Sequence, residues 1–133
     1  MAADPLILVV EDDAGVREPL EKFLRLHGFD VATAEHAEEA LDILAARRPA
    51  AAIVDLRLPR GSGRDVVVTI PPPVPVIIFS AVPRESCDLE RIRPNTRLIE
   101  KPFSLVMLVE VLKKMMAAAS TGSSARAPRG SAR

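Results

Sequence analysis

Short apolar runs that alternate with helix-period segments constrain this chain more than any other feature. Leu6–Val10 and Ala51–Val54 are apolar at every position, and Val74–Phe79 is nearly as uniform. A strand without polar alternation has to be covered on both faces, which is the condition of a parallel sheet in an α/β protein. Asp30–Ala34 and Arg97–Ile99 complete a set of five candidate strands. Between them, Val16, Leu20, Phe23 and Leu24 recur at helical spacing before Gly28, and Ala37, Ala40, Leu41 and Leu44 do so before Pro49. Gly63–Ile70, Glu85–Ile92 and Leu105–Ala118 supply three further helices. Repeated β-then-α units with right-handed crossovers leave few topologies.

The chain of 133 residues is long enough for one domain and one core. Lysine and arginine together number 18, as do aspartate and glutamate, so net charge gives no reason to expect nucleic acid or an anionic membrane as partner. Cys87 is the only cysteine, which rules out an intramolecular disulfide and fits a reducing compartment. The N-terminus has no basic region ahead of its short apolar run, so neither a signal peptide nor a membrane span is expected, and the location expected is cytoplasmic. Residues 5–118 form the expected domain. Residues 119–133, rich in Ala, Ser, Gly and Arg, cannot bury enough apolar surface to offset their ordering entropy and are expected to be a disordered tail.

The strands end in chemistry. Leu6–Val10 runs into Glu11-Asp12-Asp13, Ala51–Val54 into Asp55, Val74–Phe79 into Ser80, and Leu98-Ile99 into Glu100-Lys101-Pro102-Phe103. Carboxyl ends of parallel strands share one rim, where open α/β sheets bind ligands. Acids, a hydroxyl and one cation on that rim suit phosphoryl transfer to a carboxylate. Three carboxylates close together also repel, so at least one pKa is expected to rise, with relief on replacing Asp12 by alanine.

These segments, with Leu56-Arg57-Leu58-Pro59 and Gly63, resemble the receiver domain of bacterial two-component response regulators, the CheY-like family, over roughly residues 5–118. The resemblance implies a doubly wound five-stranded parallel sheet in the order 2-1-3-4-5. It implies that Asp55 is the phosphoacceptor and that Lys101 and Ser80 contact the phosphoryl oxygens. It also implies Mg²⁺ held by Glu11, Asp12, Asp55 and the main-chain carbonyl of Arg57, and a cis bond before Pro102. The phosphodonor would be a histidine kinase or histidine phosphotransfer protein. The protein would catalyse its own phosphotransfer and dephosphorylation rather than act as an enzyme on another substrate. A haloacid-dehalogenase-type phosphatase would need a second aspartate where Arg57 stands, and arginine cannot donate that proton at neutral pH.

The chain departs from that family in several places. The third helix is β-branched from Val66 to Ile70 and is closed off by Pro71-Pro72-Pro73, so it is expected to be short. Pro83 and Pro94 bound a short fourth helix, and Leu98 stands where the family generally has an aromatic. Pro19 either kinks a first helix that starts at Ala14 or forces a later start near Arg17. Arg57 either overhangs the acceptor or lies in solvent. On the last helix, Met107, Val111 and Met115 widen the stripe of Leu105, Leu108, Val109, Leu112 and Met116, so either an effector contact or homodimer forms there, or Val111 and Met115 pack against the shortened neighbouring helices. His27 and His36 flank ordinary helix ends, and neither they nor Cys87 is assigned a role. With no helix-turn-helix after the last helix, no DNA contact is expected. Two alternatives stay open: an interaction module that is never phosphorylated, and a receiver fragment of a larger regulator or hybrid kinase.

Overall fold

Five parallel five-residue strands stand in the order β2-β1-β3-β4-β5 in the computed structural model, which describes residues 4–80 and 88–129. The elements are β1 (Leu6–Val10), α1 (Ala14–Leu26), β2 (Asp30–Ala34), α2 (Ala37–Ala46), β3 (Ala51–Asp55), α3 (Gly63–Thr69), β4 (Val76–Ser80), α4 (Leu89–Ile92), β5 (Thr96–Glu100) and α5 (Leu105–Arg129). This is the expected doubly wound architecture. The expected start of the fourth helix at Glu85, with Pro83 and Cys87, lies outside the described residues.

Strand periodicity divides the core into two layers. Ile7, Val9, Ile53, Ile77 and Phe79 point to the side covered by Leu20 and Leu24 of α1 and Leu108 and Leu112 of α5. Leu8, Val10, Ala52, Val54, Val76 and Ile78 point to the other side, onto Ala37 and Ala40 of α2, Val66 and Val67 of α3 and Leu89 of α4. The central strands β1, β3 and β4 are buried at every position, as their unbroken apolar sequence requires.

α1 begins at Ala14, capped by the Asp13 carboxylate, which accepts from the Gly15 amide at 2.8 Å. Pro19 therefore sits inside the helix. Both Pro19 and Gly15, whose carbonyl loses its helical donor, are exposed, so water can replace the missing bond. Burial overrides propensity in α3: Val66, Val67 and Ile70 lock into the core while the Ser62 hydroxyl caps the Arg64 amide at 3.1 Å. Gly63 opens this helix against the Asp55 main chain. A Cβ there would lie 2.2 Å from the Asp55 carbonyl oxygen and 2.8 Å from Leu56 Cα, so only glycine fits.

A buried arginine organises the opposite end of the sheet. Arg93, 4 % exposed, follows α4. Its guanidinium donates to the carbonyls of Pro71 at 2.7 Å, Val74 at 2.6 Å and Pro94 at 2.8 Å, and to the Thr96 hydroxyl at 2.9 Å. Burial pulls its pKa down to about 10, still charged at neutral pH. Pro71 and Pro94 offer carbonyls without amides, and this one side chain collects both, while the Asn95 side-chain amide takes the Pro73 carbonyl at 3.1 Å. Arg64 and Asp88 add a two-bond ion pair from α3 to the start of α4, one bond at 3.2 Å. At the sheet edge, the Glu90 carboxylate accepts from the Leu98 amide at 2.8 Å. Leu98 itself is half-buried against the layer that α2, α3 and α4 cover.

The last helix packs more of its apolar face than it exposes and runs past its expected end. Val111 and Met115 pack with Met116 against the α1–α5 core layer, so the apolar surface of α5 is narrower than the sequence suggested. Val106 and Met107 remain exposed. The helical backbone continues to Arg129 rather than ending at Ala118, carried past the last core contact by Ala117–Ala119, the strongest helix formers.

Two stability outcomes follow from these contacts. Replacing Arg93 by methionine keeps bulk but strands several buried carbonyls. It is expected to cost about 3 kcal/mol in urea unfolding. Gly63→Ala is expected to cost roughly 1–3 kcal/mol by overpacking on the Asp55 main chain.

Candidate functional site

The rim holds an ammonium between two buried carboxylates. Lys101 Nζ donates to Asp55 Oδ2 at 2.9 Å and to Glu11 Oε1 at 3.1 Å. Each group arrives from a strand end. Asp55 is the last residue of β3, Glu11 follows β1 and continues its ladder through an amide bond to the Ala34 carbonyl at 2.9 Å, and Lys101 follows β5. The Lys101–Pro102 peptide is cis, as expected.

The remaining carboxylate oxygens are met by main-chain amides. Asp55 Oδ1 accepts from the Arg57 amide at 3.0 Å, and Glu11 Oε2 accepts from the Asp13 amide at 3.0 Å. Carboxylate oxygens of Glu11, Asp12 and Asp55 lie within 4.8 Å of one another. Glu11 and Asp55 are buried, whereas Asp12 is exposed. This donor set is oxygen only, with an open side at Asp12. It fits a hard cation that keeps part of its water shell, and Mg²⁺ is such an ion.

The electrostatics follow from burial. Burial pushes the Glu11 carboxyl up to about 7, aided by the Asp55 charge and opposed by the Asp13 amide and Lys101. Burial alone would pull the Lys101 ammonium down, but hydrogen bonds and charge from Asp55 and Glu11 outweigh it and raise its pKa. The expected rise thus falls on Glu11, chiefly through burial and with the Asp55 charge adding to it, while Asp12 is exposed at the rim.

Sequence reasoning brought Glu11, Asp12, Asp55 and Lys101 to one place, and the structure joins them. The Arg57 main chain is also there, through its amide on Asp55. The Arg57 side chain is exposed and lines a shallow depression with Asp12, Leu58 and Pro59. Ser80 is buried at the end of β4, and its carbonyl accepts from the Lys101 amide at 3.0 Å. It follows Phe79, the register partner of Asp55.

Three supporting residues were missed. Arg17 of α1 reaches back to the main-chain carbonyls of Glu11 at 3.0 Å and Asp12 at 3.1 Å, pinning the acidic turn. The Phe79 ring lies 4.9 Å from Lys101 Nζ, a cation–π contact, and Phe103 meets Phe79 edge-on at 5.0 Å. An arginine six residues after Glu11 carries no signal in the sequence, and Phe79 reads there as ordinary strand core.

Proton binding at Glu11 sets a pH dependence. With its folded pKa raised above the ordinary 4.5, Glu11 stabilises the fold fully below about pH 4.5, and that contribution is lost as pH rises through about 7. In a chelator, urea midpoints are expected to fall over this window, and Glu11→Gln is expected to flatten the slope. An unchanged slope in the variant would contradict the burial of this carboxyl.

The family model described as the response regulator receiver domain matches residues 7–113. Transcriptional regulatory protein PrrA of Mycobacterium tuberculosis is 38 % identical over 119 residues, covering 84 % of this chain and 50 % of that protein. Response regulator MprA of Mycolicibacterium vanbaalenii is 32 % identical over 117 residues, covering 83 % and 49 % respectively. The chain thus spans about half the length of the curated relatives it matches. Among solved structures, a CheY-like receiver domain protein from Methanospirillum hungatei superposes with a TM-score of 0.82 at 22 % identity, covering 90 % of this chain and 99 % of that one, a likeness of fold. NtrX from Brucella abortus matches with a TM-score of 0.83 at 25 % identity, covering 95 % of this chain and 30 % of that one.

Proposed function

Because this chain belongs to the response regulator receiver family, we propose that Asp55 accepts a phosphoryl group from a phosphohistidine on a histidine kinase or phosphotransfer protein. The observation that carries this reading is the Lys101 ammonium held on Asp55 and Glu11 at 2.9 and 3.1 Å. A carboxylate oxygen of Asp55 attacks phosphorus, the phosphorus–nitrogen bond to the donor imidazole breaks, and an acyl phosphate forms. The Arg57 amide and Lys101 orient the Asp55 carboxylate for that attack, each on one oxygen. Lys101 then has a phosphoryl oxygen to pair with, and Ser80 supplies a hydroxyl at the end of β4. Phe79 and Phe103 keep the lysine stem from swinging away.

Mg²⁺ would be held by Glu11, Asp12, Asp55 and the Arg57 main-chain carbonyl, and when bound it would neutralise charge between the carboxylates and the phosphoryl oxygens. Hydrolysis of the acyl phosphate returns Asp55, so the protein acts on itself rather than on a turned-over substrate.

The donor's approach is supported by an apolar groove beside Lys101. Val16 and Pro19 of α1 face Pro102, Phe103 and Leu105 across it. A helix of the donor seated there would present its histidine to the rim. An effector or homodimer contact on α5 is reduced to Val106 and Met107. The expectation of no DNA contact has no support from relatives named transcriptional regulatory proteins, and the role in that name belongs to those proteins. Among the described residues no helix is long and apolar enough to cross a membrane, which accords with the cytoplasmic location we propose.

Intact mass after incubation with Mg²⁺ and acetyl phosphate tests the reading. A single phosphoryl adduct is expected in the wild type and none in Asp55→Asn. Lys101→Met is expected to slow adduct formation about 100-fold, the scale of losing one charged donor. No adduct in wild type that binds Mg²⁺ would turn the reading to an interaction module without phosphorylation.

A further inference from the structure

The shortened third helix leaves a groove that nothing in the phosphoryl chemistry uses. It holds about 360 Å³ between the C-terminal half of α2 and the end of α3. Leu41, Leu44 and Ala45 form one wall, Pro71 the other, and Arg47 and Arg48 stand at the mouth. Leu41 and Leu44 are only half-buried, because α3 ends at Thr69 and the three prolines turn the chain away. The groove is large enough to seat side chains of a bound segment.

The charged residues that line it are both arginines. Arg48 is exposed and has no ion-pair partner among the described residues, and Arg47 shares only a long 3.4 Å pair with Asp30. The acids at the start of α2 are engaged elsewhere: Glu38 with Arg60, and Glu39 with the Glu35 amide. An apolar floor under two arginines selects an occupant that is aliphatic in its centre and anionic at its edge. The arginine-bearing C-terminal residues of this chain carry the wrong sign for it.

We propose that the α2–α3 groove docks an acidic amphipathic segment of a partner protein, with an aliphatic side chain on Leu41, Leu44 and Pro71 and carboxylates on Arg47 and Arg48. The groove lies at the amino ends of β3 and β4, whereas Asp55 ends β3, roughly 13 Å away at 3.3 Å per residue. A partner seated here leaves the acceptor open. It also grips the end of a helix whose first residue, Gly63, rests on the Asp55 main chain. The inference does not depend on phosphorylation.

The test is a titration of the ¹⁵N-labelled chain of 133 residues with a capped helical peptide of about fourteen residues, leucines four apart and glutamates around them. A twin peptide carries lysines in place of the glutamates. The glutamate peptide is expected to shift the amides of Leu41–Arg48 and Thr69 saturably, with a dissociation constant below about 1 mM. Arg48→Glu is expected to weaken it about tenfold, and ~0.5 M NaCl to weaken it as well. Ala45→Glu, at an exposed helical position, sets a carboxylate on the groove wall without touching the core and is expected to do the same, so the outcome does not hang on one variant. The proposal is overturned by any of three results: no saturable shift at these amides, equal binding of the lysine twin, or movement of the same amides with protein concentration alone, which would assign the groove to a second copy.

Discussion

Two carboxylates buried at the end of a parallel sheet need a cation, and the placement of that cation organises the rim of this protein. Glu11 and Asp55 are brought together because β1 and β3 are neighbours in register, with Val10 opposite Val54. Charge buried there is costly unless it is paired. Lys101 supplies the partner from the end of β5, two strands beyond β3. Its ammonium lies over the ring of Phe79, the residue opposite Asp55 on β4. The ammonium therefore ties three strand ends together while leaving Asp12 open to solvent. That open side is where the oxygens of Glu11, Asp12 and Asp55 come within 4.8 Å of one another.

The two ends of the sheet are built differently. At the rim, charge is arranged to be exchanged: amides and an ammonium hold carboxylates that a cation can also claim. At the far end, Arg93 is locked among carbonyls of the Pro71–Val74 turn and its own loop, with no carboxylate among the described residues to exchange with. Such a group gives directional bonds and no chemistry. It lets α3 and α4 be short, since the connections that longer helices would otherwise hold in place are held by one guanidinium. The uncovered face of α2 is the consequence.

α3 connects these ends. Its first residue must be glycine to clear the Asp55 carbonyl, and its last turn stops at the prolines. Its composition argues for a strand, yet it is helical because Val66, Val67 and Ile70 meet the core only at helical spacing. Here tertiary burial, worth ~1.5–3 kcal/mol for each large apolar side chain, exceeds a propensity deficit of a few tenths per residue.

Much of the fold was legible in the chain because strand burial and helix periodicity are local patterns. Unbroken apolar runs specify a sheet covered on both sides, and polar residues at their carboxyl ends specify one reactive rim. Glu11, Asp12, Asp55 and Lys101 could be read for that reason. What could not be read depends on which distant residues meet. Burial, not proximity to acids alone, decided that Glu11 carries the raised pKa while Asp12 stays solvated. The reach of Arg17, the ring of Phe79 under Lys101 and the capture of the proline carbonyls by Arg93 all join residues whose spacing in sequence is without pattern. Val111 and Met115 looked like free surface because helical periodicity gives a face but not the width of the neighbour that covers it. By itself the sequence determined the order of elements and the chemistry available at their ends. Tertiary structure alone decided which charges are buried, and so which of them are paired and which remain open.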